Sequence, residues 1–360
     1  MNASEKLNIC VINPNYYRSS GVTKVIKNIR QGSKSLPIKW YFIDCQYGSG
    51  VEVESPEWLS CERVEVIKLM ESKWSLFIEM IKLVRFIEEN NIRIIHVHHR
   101  RLVGILNFIK LFKNIRIIYT AHLTYSRNIF FSILRVDLAI AISSSVRENL
   151  FKTTNWAKII EMIHNPADFL DGINVYKDIA SQYISCIARL DKVKNHATLL
   201  KAWAKTSPAN HRYILRLVGE GDLKSELVKL TEDLKIEKYV EFLGYTNNVE
   251  EIIDTSAFMV LMSHVEGHPL TVIEAAGRGI PTLLSNVDGS KDCAPRYSLL
   301  PNRINQTSID DIAQALISWI SNIDKVSEYG QLFYEKWKSI SNKEFVAEKY
   351  FETYLKLYHE

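Results

Sequence analysis

The segment AFMVLMSHVEGHPLTVIEAAGRGIPTLLSN, residues 257–286, reads as a strand, a turn, a short helix and a second strand. The apolar run AFMVLMS indicates a buried strand that ends near Ser263. Pro269 suits the first position of a helix, because the N–H that proline lacks would have no acceptor there. Gly277 and Gly279 suit the end of that helix. A strand, a helix and a further strand in this order predict a parallel α/β sheet.

The same alternation of strands and helices continues on both sides of this segment. In the first half, NICVINP, IKWYFID and RIIHVHH read as strands, and GVTKVIKNIRQG and KWSLFIEMIKLVRFIEENN read as helices. The alternation stops at residues 165–181 (NPADFLDGINVYKDIAS), which we interpret as a linker, and resumes with the strand YISCIARL. The pattern predicts two Rossmann-like, doubly wound domains with a cleft between them, where ligands of such sheets usually bind.

Composition indicates a soluble globular protein with reduced thiols. Hydrophobic residues make up 47% of the chain and charged residues 24%, and the apolar runs are far shorter than the roughly 20 residues that span a bilayer. The N-terminus has no basic start followed by an apolar stretch, so we expect no signal peptide and a cytoplasmic protein. The five cysteines are scattered without a C-x-x-C pair, which favours free thiols over disulfides or a zinc site.

The charge is unevenly distributed along the chain. Residues 1–168 contain 23 Lys+Arg and 15 Asp+Glu, a balance of +8, whereas the remainder has a balance of −4. A basic first half could meet an anionic substrate or a membrane surface, and composition drift explains the same counts equally well.

The turn inside the opening segment has the features of a phosphate site. Backbone N–H groups from Gly267 to Thr271 lie at the start of the predicted helix, where they and the helix dipole favour an anion. Glu266 precedes this turn at the carboxyl edge of the sheet, and Glu274 lies in the second helical turn, where a carboxylate can accept hydrogen bonds from a ribose diol. The pattern suits a nucleotide; alternatively, Glu266 caps a turn and Glu274 is a solvated helix residue.

The E-x7-E spacing of Glu266 and Glu274 resembles the nucleotide-sugar site of retaining glycosyltransferases with the GT-B fold, family 4. Four other segments resemble that family in the expected order, namely IHNPAD, IARLDKVKNHATLLKAWA, LRLVGEGDLKSEL and VEFLGYTNNVEEII. The resemblance implies an N-terminal acceptor-binding domain over residues 1–168 and a C-terminal nucleotide-sugar domain over 169–335. It also implies a last helix, residues 336–360, that packs on the first domain.

The resemblance implies roles for individual residues at the donor site. Arg189 and Lys194 would hold the donor diphosphate, Glu274 would bind the ribose, and Glu266 would lie beside the donor sugar and the reacting centre. Fixed cations stabilise the charge that develops on a diphosphate leaving group without requiring a metal. The chain has no D-x-D motif, so we expect metal-independent phosphate handling and no cofactor besides the nucleotide sugar.

Further donor-binding positions follow from the same resemblance. Tyr245 would border the base, Gly21 stands where the family has a glycine loop, and His122 would face the donor sugar. His268 replaces a phenylalanine that is common in the family and would tune the sugar pocket. The turn is expected to contact the phosphates or the sugar through consecutive residues: Gly267, His268, Pro269, Leu270 and Thr271.

Three further segments also bear on function. His96, His98 and His99 have no evident carboxylate or cysteine partner, so we predict that this strand end lines the acceptor cleft rather than a metal site. Arg100 and Arg101, which follow, are expected to face an anionic group. The segment FIKLFKNIR mixes apolar residues with basic ones and is compatible with a peripheral membrane contact that would suit a lipid-linked acceptor. GEGDLK is not G-x-G-x-x-G, which argues against a dinucleotide oxidoreductase.

The sequence therefore predicts a cytoplasmic GT-B glycosyltransferase that moves a sugar from a nucleoside-diphosphate donor, with UDP or GDP, to a glycan or lipid-linked acceptor. The resemblance implies retention of anomeric configuration and a setting in surface polysaccharide or lipopolysaccharide synthesis, without nucleic acid. Two alternatives stay open. The first is a GT-B epimerase or sugar-phosphate transferase, and the second is a non-catalytic scaffold that binds nucleotide sugars.

Overall fold

The computed structural model describes residues 6–14, 20–45, 59, 63–67, 73–126, 134–156, 159–171, 181–207, 212–293 and 303–360. Residues 15–19, which precede Ser20 and Gly21, and residues 172–180 of the predicted linker lie outside the described residues. The described chain forms two compact units, Met1–Pro166 with Lys343–Glu360, and Ala167–Asn342.

The described strands and helices alternate along the chain as the sequence predicts. The strands are β1 (Leu7–Asn13), β2 (Ile38–Asp44), β3 (Arg63–Val66), β4 (Ile94–Val97), β5 (Arg116–Ala121), β6 (Leu138–Ala141), β7 (Ile160–Met162), β8 (Tyr183–Ile187), β9 (Ile214–Val218), β10 (Val240–Gly244), β11 (Ser256–Leu261), β12 (Thr282–Ser285) and β13 (Arg303–Ile304). The helices are α1 (Gly21–Gly32), α2 (Lys73–Glu89), α3 (Arg100–Lys110), α4 (Ser144–Thr153), α5 (His196–Lys205), α6 (Lys224–Asp233), α7 (Val249–Asp254), α8 (Leu270–Gly277), α9 (Asp288–Cys293), α10 (Ile309–Ser321), α11 (Ile323–Ser341) and α12 (Lys343–His359).

The first unit is built on a seven-stranded parallel sheet in the order β3-β2-β1-β4-β5-β6-β7. All residues of β4 and β6 are buried, as expected when helices cover both faces of a parallel sheet. The chain direction across the sheet reverses between β1 and β4, which makes their carboxyl ends the switch point of this unit.

The last helix, α12, completes the first unit and packs closely on α1. A Cβ added to Gly32 would lie 2.1 Å from the Lys343 carbonyl oxygen, so the two backbones touch where only glycine fits. The helix begins at Lys343, whereas the sequence placed its start at residue 336; residues 336–341 are instead the end of α11 in the second unit. The units divide between residues 166 and 167, two residues before the predicted boundary.

The second unit contains a six-stranded parallel sheet in the order β10-β9-β8-β11-β12-β13. Counted from β8, this is the 3-2-1-4-5-6 order of a Rossmann fold, and its switch point lies between β8 and β11. Large aromatic side chains, including Trp203, Phe258 and Trp319, fill the core of this unit. The prediction of two doubly wound Rossmann-like domains is confirmed. Within the described residues, none of the helices is both long enough and apolar enough to cross a membrane.

Candidate functional site

A tight turn after β8 carries the first candidate residues. Asp191 caps a 3-10 turn over Lys192–Lys194 by accepting a hydrogen bond from the Lys194 backbone N–H (3.1 Å). Asn195 follows with a φ of 59°, a left-handed conformation that asparagine tolerates better than most residues. This turn separates β8 from α5 and directs the Lys194 side chain at the carboxyl end of the sheet.

The second candidate segment follows β11 and is bonded directly to that turn. The His264 backbone N–H donates to the Val193 carbonyl (2.8 Å), and the Asn195 side-chain amide donates to the Met262 carbonyl (3.1 Å). Since β8 and β11 are neighbouring strands, these bonds join the two loops at the switch point.

An ion pair between the two loops is the centre of the site. The Lys194 ammonium donates to Glu266 Oε1 at 2.7 Å, and the two side chains are only 19% and 6% exposed. Removing charges from water is costly unless each finds a partner, so the two side chains stabilise one another in this position. Both residues were predicted from the sequence, and the structure brings them together.

Arg189 lies nearby on the same turn but has a different partner. Its guanidinium contacts the Asp191 carboxylate at 2.8 Å, and the side chain is 77% exposed. An exposed pair of this kind contributes little to stability. The guanidinium is therefore able to move to another anion at small cost.

The helix that follows Glu266 begins one residue later than predicted. Pro269 has an extended ψ of 118° and is the N-cap, so the first helical residue is Leu270 and not Pro269. The first backbone N–H groups of a helix have no acceptor within the helix, which leaves those of Leu270 and Thr271 directed out of the start of α8.

Glu274 lies on α8 and is buried, as are most residues of this short helix. The alternative that Glu274 is a solvated helix residue is therefore wrong. Burying a carboxylate costs free energy unless it is hydrogen-bonded or paired. This burial distinguishes Glu274 from the exposed glutamates on the outer helices of this unit.

His268 points into the packing of the second unit. Its ring is buried and meets the Trp337 ring edge to face, with ring centroids 5.1 Å apart. The Trp337 indole N–H donates to the Cys293 carbonyl (3.0 Å) at the end of α9. His268 thus links the turn after Glu266 to α9 and α11.

The start of α9 supports the Glu266 loop through a residue that the sequence patterns did not single out. A Cβ added to Gly289 would lie 2.1 Å from the Glu266 carbonyl oxygen and 2.7 Å from that of Gly267. Side chains do not tolerate such distances, so glycine at 289 allows α9 to support the loop. In the sequence NVDGS this glycine signals only a turn.

His196 was also not predicted from the sequence. Its Nε2 lies 3.0 Å from the Arg189 carbonyl oxygen, and its Nδ1 lies 3.7 Å from the Cys186 sulfur. Burial lowers the pKa of His196 and raises the pKa of Cys186 to about 12. The neutral ring therefore donates from Nε2 to the carbonyl and accepts the thiol proton at Nδ1, which fixes the backbone of Arg189.

Tyr245 occupies a more distant part of the same sheet edge. It follows β10, which is an edge strand separated from β8 by β9. Its side chain is exposed, and its hydroxyl donates to Asn247 Oδ1 at 2.6 Å. The structure places Tyr245 on an outer loop and not beside the Lys194–Glu266 pair.

Two predicted residues lie at the carboxyl edge of the first unit's sheet. Gly21 begins α1, which is capped by Ser20 Oγ accepting from the Thr23 N–H (3.1 Å). His122 follows β5, and its Nε2 lies 2.8 Å from His98 Nδ1. Burial lowers the pKa of His122 to about 4 and that of His98 well below its usual value. Both imidazoles are therefore neutral at pH 7.

The described residues contain no group of three or more His, Cys, Asp or Glu side chains that could hold a metal ion. The sequence also predicted that Arg100 and Arg101 face an anionic group. In the structure the Arg100 guanidinium lies over the Tyr125 ring at 4.4 Å from its centroid, a cation–π contact.

Comparison with known proteins establishes the family. Residues 177–333 match the family Glycosyl transferases group 1, and residues 19–169 match Glycosyltransferase Family 4. The crystal structure of Anabaena HepE in complex with UDP and glucose has the same fold, with a TM-score of 0.79 at 15% identity over 96% of this chain and 99% of that one. The chain belongs to the GT-B glycosyltransferases of the family 4 type.

Two sequence relatives carry specific names. A Campylobacter jejuni protein named N-acetylgalactosamine-N,N'-diacetylbacillosaminyl-diphospho-undecaprenol 4-alpha-N-acetylgalactosaminyltransferase is 33% identical over 145 residues, 39% of each chain. An Escherichia coli protein named UDP-Gal:alpha-D-GlcNAc-diphosphoundecaprenol alpha-1,3-galactosyltransferase is 31% identical over 102 residues, 28% of this chain and 26% of that one. The matches span less than half the length of either relative.

Proposed function

We propose that this protein transfers a sugar from a nucleoside-diphosphate sugar to a hydroxyl group of a glycan or lipid-linked acceptor. The observation that carries the proposal is the buried Lys194–Glu266 ion pair (2.7 Å) at the β8/β11 switch point, next to the start of α8. Ligands of open parallel sheets bind outside the carboxyl ends of the strands at this point. A cation, a helix start and a carboxylate meet there.

Each group has a specific task in this proposal. The diphosphate lies at the N–H groups that begin α8, where the helix dipole favours negative charge. Lys194 and Arg189 stabilise the charge that develops on the leaving diphosphate. Arg189, whose side chain is exposed, reaches the phosphates by exchanging its partner, Asp191, for the ligand.

The two glutamates lie at different parts of the donor in this proposal. Glu274, buried on α8, accepts hydrogen bonds from the ribose hydroxyls. Glu266 lies beside the sugar, and its bond from Lys194 holds the carboxylate in one orientation.

The donor proposed for the first assays is a UDP-sugar. HepE, which shares the fold, was crystallised with UDP and glucose, and the Escherichia coli relative is named for UDP-Gal. The two named sequence relatives act on diphosphoundecaprenol-linked acceptors by name. These names support a lipid-linked glycan as acceptor and a place in surface polysaccharide or lipopolysaccharide synthesis.

Retention of anomeric configuration and independence of metal are further parts of the proposal. The match to Glycosyltransferase Family 4 supports retention. The positive charges of Lys194 and Arg189 support phosphate binding without a divalent ion. The anomeric proton coupling of the product, measured by NMR, tests retention, and an assay with EDTA tests metal independence.

A peripheral contact with the cytoplasmic face of a membrane is the last part of the proposal. The side chains of Phe108, Leu111 and Phe112 at the end of α3 are exposed and adjacent. In the sequence Lys110 lies between Phe108 and Leu111, and Lys113 follows Phe112. Each is paired with an acidic residue, Lys110 with Asp137 and Lys113 with Glu88. Sedimentation with anionic vesicles tests the contact: Leu111→Ser should reduce the bound fraction, and equal binding by both proteins would contradict it.

The donor site is tested by thermal unfolding with UDP, GDP, ADP, CMP and dTDP, in EDTA. A ligand at 100 times its Kd adds about 2.7 kcal/mol to the stability. One diphosphate should raise the midpoint of the wild type and much less that of Glu274→Gln. Glu226→Gln, on the exposed face of α6, is the matched control and should respond like the wild type. No shift with any nucleotide would refute the donor site.

Turnover distinguishes the enzyme from the alternatives. With the diphosphate identified, its sugar conjugates are incubated with lipid-linked acceptors, and release of the nucleoside diphosphate is measured together with product mass. Transfer predicts a product heavier by one sugar residue. An isomerised nucleotide sugar of unchanged mass would instead identify an epimerase.

A further inference from the structure

Three histidine rings form a stack at the switch point of the first unit. His96, His98 and His122 follow one another with centroid separations of 4.3 Å and 5.1 Å. His96 lies within β4, His98 just after it, and His122 just after the neighbouring strand β5. The sequence predicted separate tasks for His98 and His122, whereas in the structure they share a hydrogen bond.

The inner end of the stack is fixed on both sides. His96 Nδ1 lies 2.8 Å from the Tyr354 hydroxyl, and His96 Nε2 lies 2.7 Å from Thr120 Oγ1. The ring is also stacked on Tyr350, with centroids 5.5 Å apart. Since Tyr350 and Tyr354 come from α12, the last helix of the chain sets the position of this ring.

The outer end of the stack is a pair of neutral imidazoles. Burial lowers the pKa of His122 to about 4 and holds that of His98 well below its usual value. A neutral imidazole has one donor nitrogen and one acceptor nitrogen. In the 2.8 Å contact between His98 Nδ1 and His122 Nε2, one ring must donate and the other accept. The tautomer of His122 therefore depends on that of His98.

We propose that His98 is a positioning residue for His122. It holds the His122 ring in one orientation and one tautomer, and it leaves Nδ1 of His122 as the nitrogen that contacts the substrate. His98 is buried and sandwiched between His96 and His122, whereas His122 is half-buried. Thus the partner that can reach a ligand is His122, and the partner that cannot is His98. The inference rests on the proposed sugar transfer, for which the family resemblance implies that His122 faces the donor sugar.

Two substitutions of nearly equal shape separate the hydrogen bond from packing. His98→Asn keeps a polar atom close to the place of Nδ1, whereas His98→Leu fills a similar volume without one. We expect His98→Leu to lower kcat for sugar transfer by about 10- to 100-fold, the scale on which misplaced catalytic groups act, with the KM for the donor within about twofold. His98→Asn should recover most of that loss.

The hydrogen bond itself is measured without turnover. Long-range ¹H–¹⁵N spectra of protein with ¹⁵N-labelled histidine distinguish the two neutral tautomers, and His122→Asn identifies the His122 signals among the ten histidines. The wild type and His98→Asn should show one His122 tautomer with a hydrogen-bonded Nε2, and His98→Leu a mixture. Thermal unfolding verifies that the variants are folded.

The spectra and the kinetics test different parts of the proposal. Unchanged His122 signals in folded His98→Leu would overturn the positioning role, whatever the activity. Equal loss of kcat in the asparagine and leucine variants would also overturn it, since packing alone would then explain the effect. A wild type with the expected spectra but no sugar transfer would refute the proposed function and leave the histidine pair established.

Discussion

Replacing Gly289 by alanine should displace the Glu266 loop, which packs directly against this glycine. The added Cβ would lie 2.1 Å from the Glu266 carbonyl oxygen, where ordinary contact begins at 3.4 Å, so about 1.3 Å of movement is needed. The obstacle is backbone on both sides, and rotation of a side chain cannot relieve it. Overpacking of this kind costs about 1–3 kcal/mol, and we expect that the loop moves and carries Glu266 away from Lys194.

The assay combines stability and ligand binding. At about 2–4 °C per kcal/mol for a unit of this size, Gly289→Ala should lower the unfolding midpoint by about 2–12 °C, and the nucleotide-induced shift should disappear. Gly104→Ala on α3 is the control, because its Cβ would meet only Leu134 side-chain atoms at 3.8–4.0 Å. Alanine favours a helix interior, so the control should be at least as stable as the wild type. A Gly289→Ala protein with unchanged midpoint and unchanged nucleotide binding would refute this reasoning.

Three further predictions concern charge, protonation and thiols. Glu266→Gln and Lys194→Met should each destabilise the protein by about 3 kcal/mol, since each leaves a mostly buried charge unpaired. In urea unfolding, the double variant should recover part of the lost stability, and additive losses would contradict an energetic coupling between the two side chains. The lowered pKa values of His96 (about 3) and His122 (about 4) mean that the unfolded chain binds more protons below pH 6.5. The free energy of unfolding should therefore fall by up to about 1.4 kcal/mol per pH unit for each histidine as the pH drops from 6.5 towards 4. His96→Gln should show a shallower slope of unfolding free energy against pH, and an unchanged slope would contradict this. Four buried thiols have raised pKa values and should resist alkylation until the protein unfolds. Fast alkylation of any of them in the native protein, detected by peptide mass, would contradict their burial. These thiols are Cys10, Cys45, Cys186 and Cys293.

The sequence predicted the elements of the fold well because the strands of a parallel sheet are apolar on both faces. IKWYFID corresponds to β2 (Ile38–Asp44) and pairs with β1 along all seven residues. The start of α8 was displaced by one residue because proline is also compatible with the N-cap, where its fixed φ (−65° at Pro269) continues into an extended ψ. Such choices at helix ends depend on the incoming loop.

The sequence predicted part of the candidate site, and there is a physical reason why it did not predict the rest. Lys194 and Glu266 are 72 positions apart, and their meeting follows only when the strand order places β8 beside β11. The support from Gly289 and the edge-to-face contact of His268 with Trp337 depend on how helices pack over the sheet, which local sequence patterns do not encode. The His98–His122 bond belongs to the same class, since it joins the ends of two neighbouring strands.

The measurement that tests the central claim most directly is a calorimetric titration of UDP into the protein in EDTA. The wild type should bind one UDP per chain, and Lys194→Met should bind at least about tenfold more weakly, since a hydrogen bond to a charged group contributes about 1.5–3 kcal/mol. Lys205→Met, whose exposed partner is Asp310, should bind like the wild type. Equal affinity in the wild type and Lys194→Met would contradict a diphosphate site at the β8/β11 switch point.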